Sequence, residues 1–279
     1  MLSTLRADRL FRHVLHPTSL SDDGAIAFAH ALKLALLGKA DLSIVHTGSG
    51  LEVGGEWTAF PQVRETLIQW GLLPEGAQPE SVGELGLHVH KSDIGAAEPG
   101  KAVAHFAEKH DCDLMVLATQ PRHGLERWTR PSVAEPLARR AGLPTLFLPE
   151  GAAGFVDPAT GQARLNHILV AVDHAPDPSR AVALAQGLRQ ALAPDGLIHL
   201  VHVGQDRPRI DAGSDAQIRW HAAEGAVVEA IGRIAVATSA ELVVMATYGH
   251  DGFLDALRGS TTEQVLRTSG RALLAVPAI

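Results

Sequence analysis

The sequence predicts an α/β protein built from two tandem Rossmann-like domains, each a mostly parallel five-stranded sheet with helices on both faces. Three observations lead there. Short, nearly continuous apolar runs alternate with segments of helical periodicity, the pattern of parallel strands covered on both sides. The series of runs is written twice in the same order. Aromatic residues make up only 4% of a chain that is 46% apolar, so its interior rests on Ala, Val and Leu, which suits helices laid on a parallel sheet.

The repeat comes first because it sets the domain count. Arg12-His13-Val14-Leu15 matches Asn166-His167-Ile168-Leu169. Leu42-Ser43-Ile44-Val45-His46 matches Ile198-His199-Leu200-Val201-His202. Asp113 to Thr119 (DLMVLAT) matches Glu241 to Thr247 (ELVVMAT), and Leu143 to Pro149 matches Arg271 to Pro277. Residues 151–163, GAAGFVDPATGQA, are rich in Gly, Ala and Pro and read as a linker. The expected domains are therefore 1–150 and 164–279, a size split that suits a chain of 279 residues.

In the second half, His167 to Val172 reads as a strand. Ser179 to Leu192 reads as a helix that follows Asp-Pro and stops at Pro194-Asp195-Gly196. Leu197 to Val203 is a strand, Arg219 to Glu224 a weaker one, and Val227 to Thr238 a helix. Leu242 to Ala246 is a buried strand, Ser260 to Arg267 a helix, and Leu273 to Val276 the last strand. The first half repeats this plan with extra residues at 48–87. That stretch reads as an excursion over the surface, with a short helix from Pro61 to Trp70, and Trp57 and Trp70 available to bury against the other half.

Composition narrows the functional classes. The net charge is −7 with no basic block, so nucleic acid has no patch to grip. No apolar run approaches a membrane span, and the N-terminus MLSTLRADRLFRHVL lacks a signal-type apolar core; the expected location is cytoplasmic. Cys112 is the single cysteine and sits between Asp111 and Asp113, poor company for a thiolate. No Gly-x-Ser-x-Gly motif and no carboxylate pair suggests hydrolytic chemistry.

One stretch does carry a ligand signature. After Leu242-Val243-Val244-Met245, the chain breaks into Ala246-Thr247-Tyr248-Gly249, nine further residues, then Gly259-Ser260 and a helix start at Thr261. Strand, glycine-bounded loop and helix N-terminus together make an anion cradle at the carboxyl end of a strand, which we read as a nucleotide site for ATP or AMP. At these residues the chain resembles the universal stress protein family in its tandem form, over nearly its whole length except 48–87 and the linker. The resemblance implies the adenine nucleotide alpha hydrolase-like variant of the fold, and a nucleotide motif of Gly, two residues, Gly, nine residues, Gly, then Ser or Thr. Here Ala246 replaces the first glycine. It further implies that Asp173 and the backbone of Val203 meet adenine, with Ala171 where the family has proline. The candidate binding set is Ala171, Asp173, Val203, Met245, Ala246, Gly249, Gly259, Ser260 and Thr261, with magnesium accompanying the phosphates and, at most, slow ATP hydrolysis.

The first half departs from this motif. Ser19 stands at the place of Asp173, and Ala118, Pro121, Pro131 and Ser132 at those of Ala246, Gly249, Gly259 and Ser260. Proline offers no N–H and cannot take positive φ, so this half is expected not to bind ATP; its Arg122, Arg127 and Arg130 read as a solvated basic loop. Ser260 with Glu263 and Ser132 with Glu135 both fit a capping box, so these serines have a structural role as well. The 15 histidines raise a metal hypothesis for His13, His16, His46, His88 and His90, whereas His46 and His202 match a histidine common in the family and read as structural. Three functions stay open: a stress-response nucleotide binder with a sensing or partner-regulating role and an unknown protein partner, a scaffold that has lost nucleotide binding, and a metal or small-ligand binder using the first half. The resemblance also implies an intramolecular pseudo-dimer joined through the last strands, near Leu146 and Leu274, with a homodimer of the whole chain as a further state.

Overall fold

The computed structural model describes residues 10–18, 20, 24–46, 60–94, 99–119, 143–149, 151–152, 154–211, 213, 215–248 and 261–278. Its strands are β1 (His13–Thr18), β2 (Asp41–His46), β3 (His88–Asp93), β4 (Leu114–Thr119), β5 (Thr145–Pro149), β6 (His167–Ala171), β7 (Leu197–Val203), β8 (Ile218–Ala223), β9 (Leu242–Tyr248) and β10 (Ala272–Ala278). They form one ten-stranded sheet in the order β3-β2-β1-β4-β5-β10-β9-β6-β7-β8. Each half thus has the same internal order, read outward from the centre. Every neighbouring pair is parallel except β5 with β10, which meet antiparallel with Leu146 opposite Leu274. The two expected sheets are therefore a single sheet, and the seam lies at the strands expected to join the pseudo-dimer.

The helices are α1 (Ala25–Gly38), α2 (Val63–Gln69), α3 (Ser81–Glu84), α4 (Pro99–Lys109), α5 (Ser179–Leu192), α6 (Val227–Ala237) and α7 (Thr261–Ser269). Alternation along each strand sends one set of side chains to each face. Val14, Val116, Ile168 and Val244 face a core closed by α1 and α5, while Leu15, Met115, Leu169 and Val243 face one closed by α4, α6 and α7. No helix among the described residues is long and apolar enough to cross a membrane. At the start of α5, Asp177 Oδ1 accepts from the Ser179 N–H at 2.9 Å and from its Oγ at 2.6 Å. At its end Arg189 donates to the Pro194 carbonyl and to Asp215 at 2.9 Å, fastening the helix to the approach of β8.

Two points differ from the sequence expectation. Residues 60–87 are no surface excursion: Phe60 is 1% exposed and Leu67 0%, both in the α1 face core. Pro and Gly punctuation masks this, since the buried apolar residues Phe60, Val63, Leu67, Trp70 and Leu73 are nowhere consecutive and form no continuous run. Trp70 buries not against the second half but against the connection between the halves, with Nε1 donating to the Pro158 carbonyl at 3.0 Å; Trp57 lies outside the described residues. That connection, the expected linker, is itself a packed turn. Val156 and Ala163 form an antiparallel bridge, and Phe155 and Val156 are buried.

His30 on α1 holds this turn. Its Nδ1 donates to the Ile26 carbonyl at 2.7 Å, so its Nε2 carries the lone pair. Nε2 accepts from the backbone N–H groups of Phe155 at 2.9 Å and Val156 at 3.0 Å. Gly154 makes the approach possible: its φ is +66°, and a Cβ there would lie 2.3 Å from the His30 ring. Burial pushes the His30 imidazole down to about 4, against the opposing bond to Ile26. His16, also buried, is pushed down to about 4 for the same reason, opposed by its bond to Val116.

Replacing His30 by Leu leaves two buried N–H groups without an acceptor, at about 1–3 kcal/mol each. We expect a loss of roughly 2–5 kcal/mol in denaturant unfolding, and a cost of under 0.5 kcal/mol would remove His30 from this role. A second expectation concerns pH. His16 and His30 stay neutral in the folded chain until about pH 4, whereas the unfolded chain takes up these protons near pH 6.5. Between those values the unfolded state binds more protons, so stability falls as pH drops through the window, by up to about 3 kcal/mol per histidine. Thermal melts from pH 7 to pH 4.5 test this; a level midpoint would contradict it.

Candidate functional site

The carboxyl ends of β6, β7 and β9 and the first turns of α6 and α7 enclose a cavity of about 280 Å³. Its floor follows from strand register. Ala171 stands level with Val201 on one side and Met245 on the other, and all three point to the α6–α7 face. Val203 and Thr247 continue the same face two residues on, where the sheet ends and the wall becomes polar. Val227 and Ile231, one turn apart on α6, form the apolar roof, and Thr261 and Thr262 bring the N-terminal end of α7 to the rim.

Two polar groups stand out. Thr247 is 6% exposed, yet its Oγ1 has no hydrogen-bond partner. Buried polar atoms are nearly always bonded, and only His16 Nε2 and Arg189 Nε share this state among the described residues. Asp173 is the opposite case, with a side chain 64% exposed at the cavity edge. Its Oδ1 accepts from the His174 N–H at 2.7 Å and lies 3.8 Å from Nδ1 of the buried His202. His202 Nδ1 in turn donates to the Val172 carbonyl at 3.1 Å, and His174 Nε2 donates to the Asp206 carbonyl at 2.8 Å.

Six of the nine residues expected from sequence line this cavity: Ala171, Asp173, Val203, Met245, Ala246 and Thr261. Gly249, Gly259 and Ser260 lie outside the described residues, and with them the loop and the Ser260–Glu263 capping box. Sequence reading missed Thr247, Tyr248, Val201 and the α6 pair Val227 and Ile231. Period two from Met245 to Thr247 signals one of them; the α6 residues come in only through the crossover that folds the helix over the strand ends. In the first half, Ser19, Pro121, Pro131, Ser132, Glu135 and the three loop arginines also lie outside the described residues.

The first-half histidines do not converge. His13 bonds Ser43 Oγ at 2.8 Å and the His110 carbonyl at 2.7 Å, His16 donates to the Val116 carbonyl at 3.0 Å, and His46 to the Thr18 carbonyl at 3.0 Å. His88 and His90 are exposed on edge strand β3. Another row, His167, His199 and His221, crosses β6 to β8 with ring nitrogens 3.1 and 2.9 Å apart. Burial, then His221 and His167, push His199 down to about 4. Burial, then Asp113 and Asp111, push the Cys112 thiol up to about 12, which leaves no thiolate for nucleophilic work.

Comparison with known proteins places the chain. The model of the Universal stress protein family matches residues 10–149 and 209–277; β6, α5 and β7, together with Asp173 after β6 and Val203 at the end of β7, lie between those matches. A universal stress protein of Methanocaldococcus jannaschii is 28% identical over 146 residues, 50% of this chain and 84% of that protein. The crystal structure of a universal stress protein from Archaeoglobus fulgidus superposes with a TM-score of 0.62 at 18% identity, over 97% of each chain. A functionally unknown protein from Pseudomonas aeruginosa does so with a TM-score of 0.59 at 18% identity, over 96% of this chain and 93% of its own. These two likenesses speak for the fold, and the family match for descent. The chain belongs to the universal stress protein family.

Proposed function

We propose that the chain binds an adenine nucleotide, ATP or AMP, in the cavity of its second half and serves a stress response by sensing that ligand or regulating a protein partner. The buried, unpartnered Thr247 hydroxyl in the cavity wall carries the reading. Such an atom is stable where a ligand completes its bonding. The apolar floor and roof suit a flat base, and Asp173 at the edge is an acceptor for an exocyclic amine, with the Val203 backbone beside it. A volume of about 280 Å³ is near the lower end of ordinary ligand pockets. It accommodates base and sugar, and phosphates then extend over the start of α7 and the Gly249–Ser260 loop, where helix N–H groups favour negative charge and magnesium accompanies a triphosphate.

In this reading the two repeats, residues 1–150 and 164–279, differ in function: the first, with Ser19, Pro121 and Pro131, holds no nucleotide of this kind. A second reading, a scaffold without nucleotide, draws on Ala246, which stands at the cavity where the family motif has glycine.

Denaturing the purified chain and identifying what it releases by mass spectrometry separates the two readings. Adenine nucleotide near one per chain, or a thermal shift of several degrees with ATP or AMP, is expected; neither result would leave the scaffold. The isosteric change Thr247→Val removes one hydrogen bond and is expected to weaken nucleotide affinity about tenfold while leaving the melting midpoint of the free chain level or raised.

A further inference from the structure

The geometry points to a transition-metal site at the rim of the second-half cavity, formed by Asp173, His174 and His202. One donor atom from each lies within 4.8 Å of the other two, and among the described residues no other group of histidine, cysteine and carboxylate donors gathers in this way. Ligands about 2.1 Å from a zinc ion stand about 3.4 Å apart in tetrahedral geometry, so modest side-chain rotation closes the set. Asp173 and His174 are exposed at the rim, while His202 is the buried anchor.

The surroundings already have the form that orients metal-bound histidine. Each imidazole gives one ring N–H to a backbone carbonyl, His202 to Val172 at 3.1 Å and His174 to Asp206 at 2.8 Å. Each ring is thereby held in place with its second nitrogen keeping a lone pair. Asp173 uses Oδ1 to accept the His174 N–H, which leaves Oδ2 for an ion. Gly204 keeps the space beside His202 Nε2 open: a Cβ there would come within 2.9 Å of it.

The repeat provides an internal control. His46 makes the same carbonyl contact in the first half, to Thr18 at 3.0 Å, so that bond belongs to the fold. At the positions of Asp173 and His174 the first half has Ser19 and Leu20. The carboxylate and the second imidazole are additions to one copy.

Two imidazoles and one carboxylate suit zinc, cobalt, nickel or ferrous iron, whereas magnesium and calcium take oxygen ligands. Three protein ligands leave a coordination position open, and Asp173 places it at the cavity edge. The inference does not rest on nucleotide binding; where both ligands are present they share Asp173.

The test uses the full chain, free of any tag and stripped with EDTA, titrated with cobalt(II) chloride at neutral pH. We expect visible d–d absorption saturating near one equivalent at micromolar metal, displaced by zinc, and a zinc-dependent rise in melting midpoint. His174→Ala, an exposed change that spares the buried anchor, is expected to weaken cobalt binding at least tenfold and abolish the zinc-dependent rise, and Asp173→Asn to do the same. Absence of cobalt absorption at about 100 µM together with no zinc-dependent rise in melting midpoint would overturn the inference. So would a His174→Ala chain that binds as the parent does, which would assign the metal to other histidines. Nucleotide titrations of the same preparations read out separately and leave this result standing either way.

Discussion

The antiparallel pairing of β5 with β10 is the contact on which the rest of the molecule depends. Leu146 faces Leu274, and Phe147 faces Leu273, each buried on both sides of the seam. Two copies of one strand order can share an edge in this way only by a two-fold relation, which turns the shared strands antiparallel. The seam removes two open edges that would each present unpaired backbone groups. It also makes the cores continuous, so residues from both halves pack in the same two layers.

A seam of this kind requires the chain to leave β5 and enter β6 three strands away, across a face of the sheet. The turn at 154–165 does this, and the first half supplies its fastenings. His30 receives two backbone N–H groups and Trp70 gives its indole N–H to a carbonyl. The residues between the second and third strands of the first half are therefore structural, completing a wall that the second half lacks. The cavity sits at the other copy. The second repeat has a polar-rimmed opening at its strand ends, and the first carries the packing against the connection.

Much of the fold was legible because parallel strands buried on both faces are nearly continuous apolar runs, and their order repeats. The helix at Ser179–Leu192 could be read to both ends, since Asp177-Pro178 and Pro194-Asp195-Gly196 bracket it. β8 was faint because an edge strand, Ile218–Ala223, carries polar residues on its open side. The linker at 151–163 was legible from composition, but its packing was not, since composition says nothing of an imidazole 125 residues away. At the site, Asp173 and Ala246 were visible through the family resemblance, while Thr247 was not: its chemistry lies in being buried without a partner, a property of tertiary packing. The nearness of His174 to His202 is likewise set by strand register across 28 residues rather than by local spacing.

The shared seam has a further consequence. In a protein assembled from two separate copies, dilution separates the halves, and stability varies with concentration. Here the partner strand is covalently attached, and its effective concentration is fixed by a short, clamped connection. The junction therefore stays closed at any abundance of the chain, and the two copies, released from the need to be identical, are free to carry different sites. A ligand that binds the second half meets the same surface in a cell holding few molecules as in one holding many.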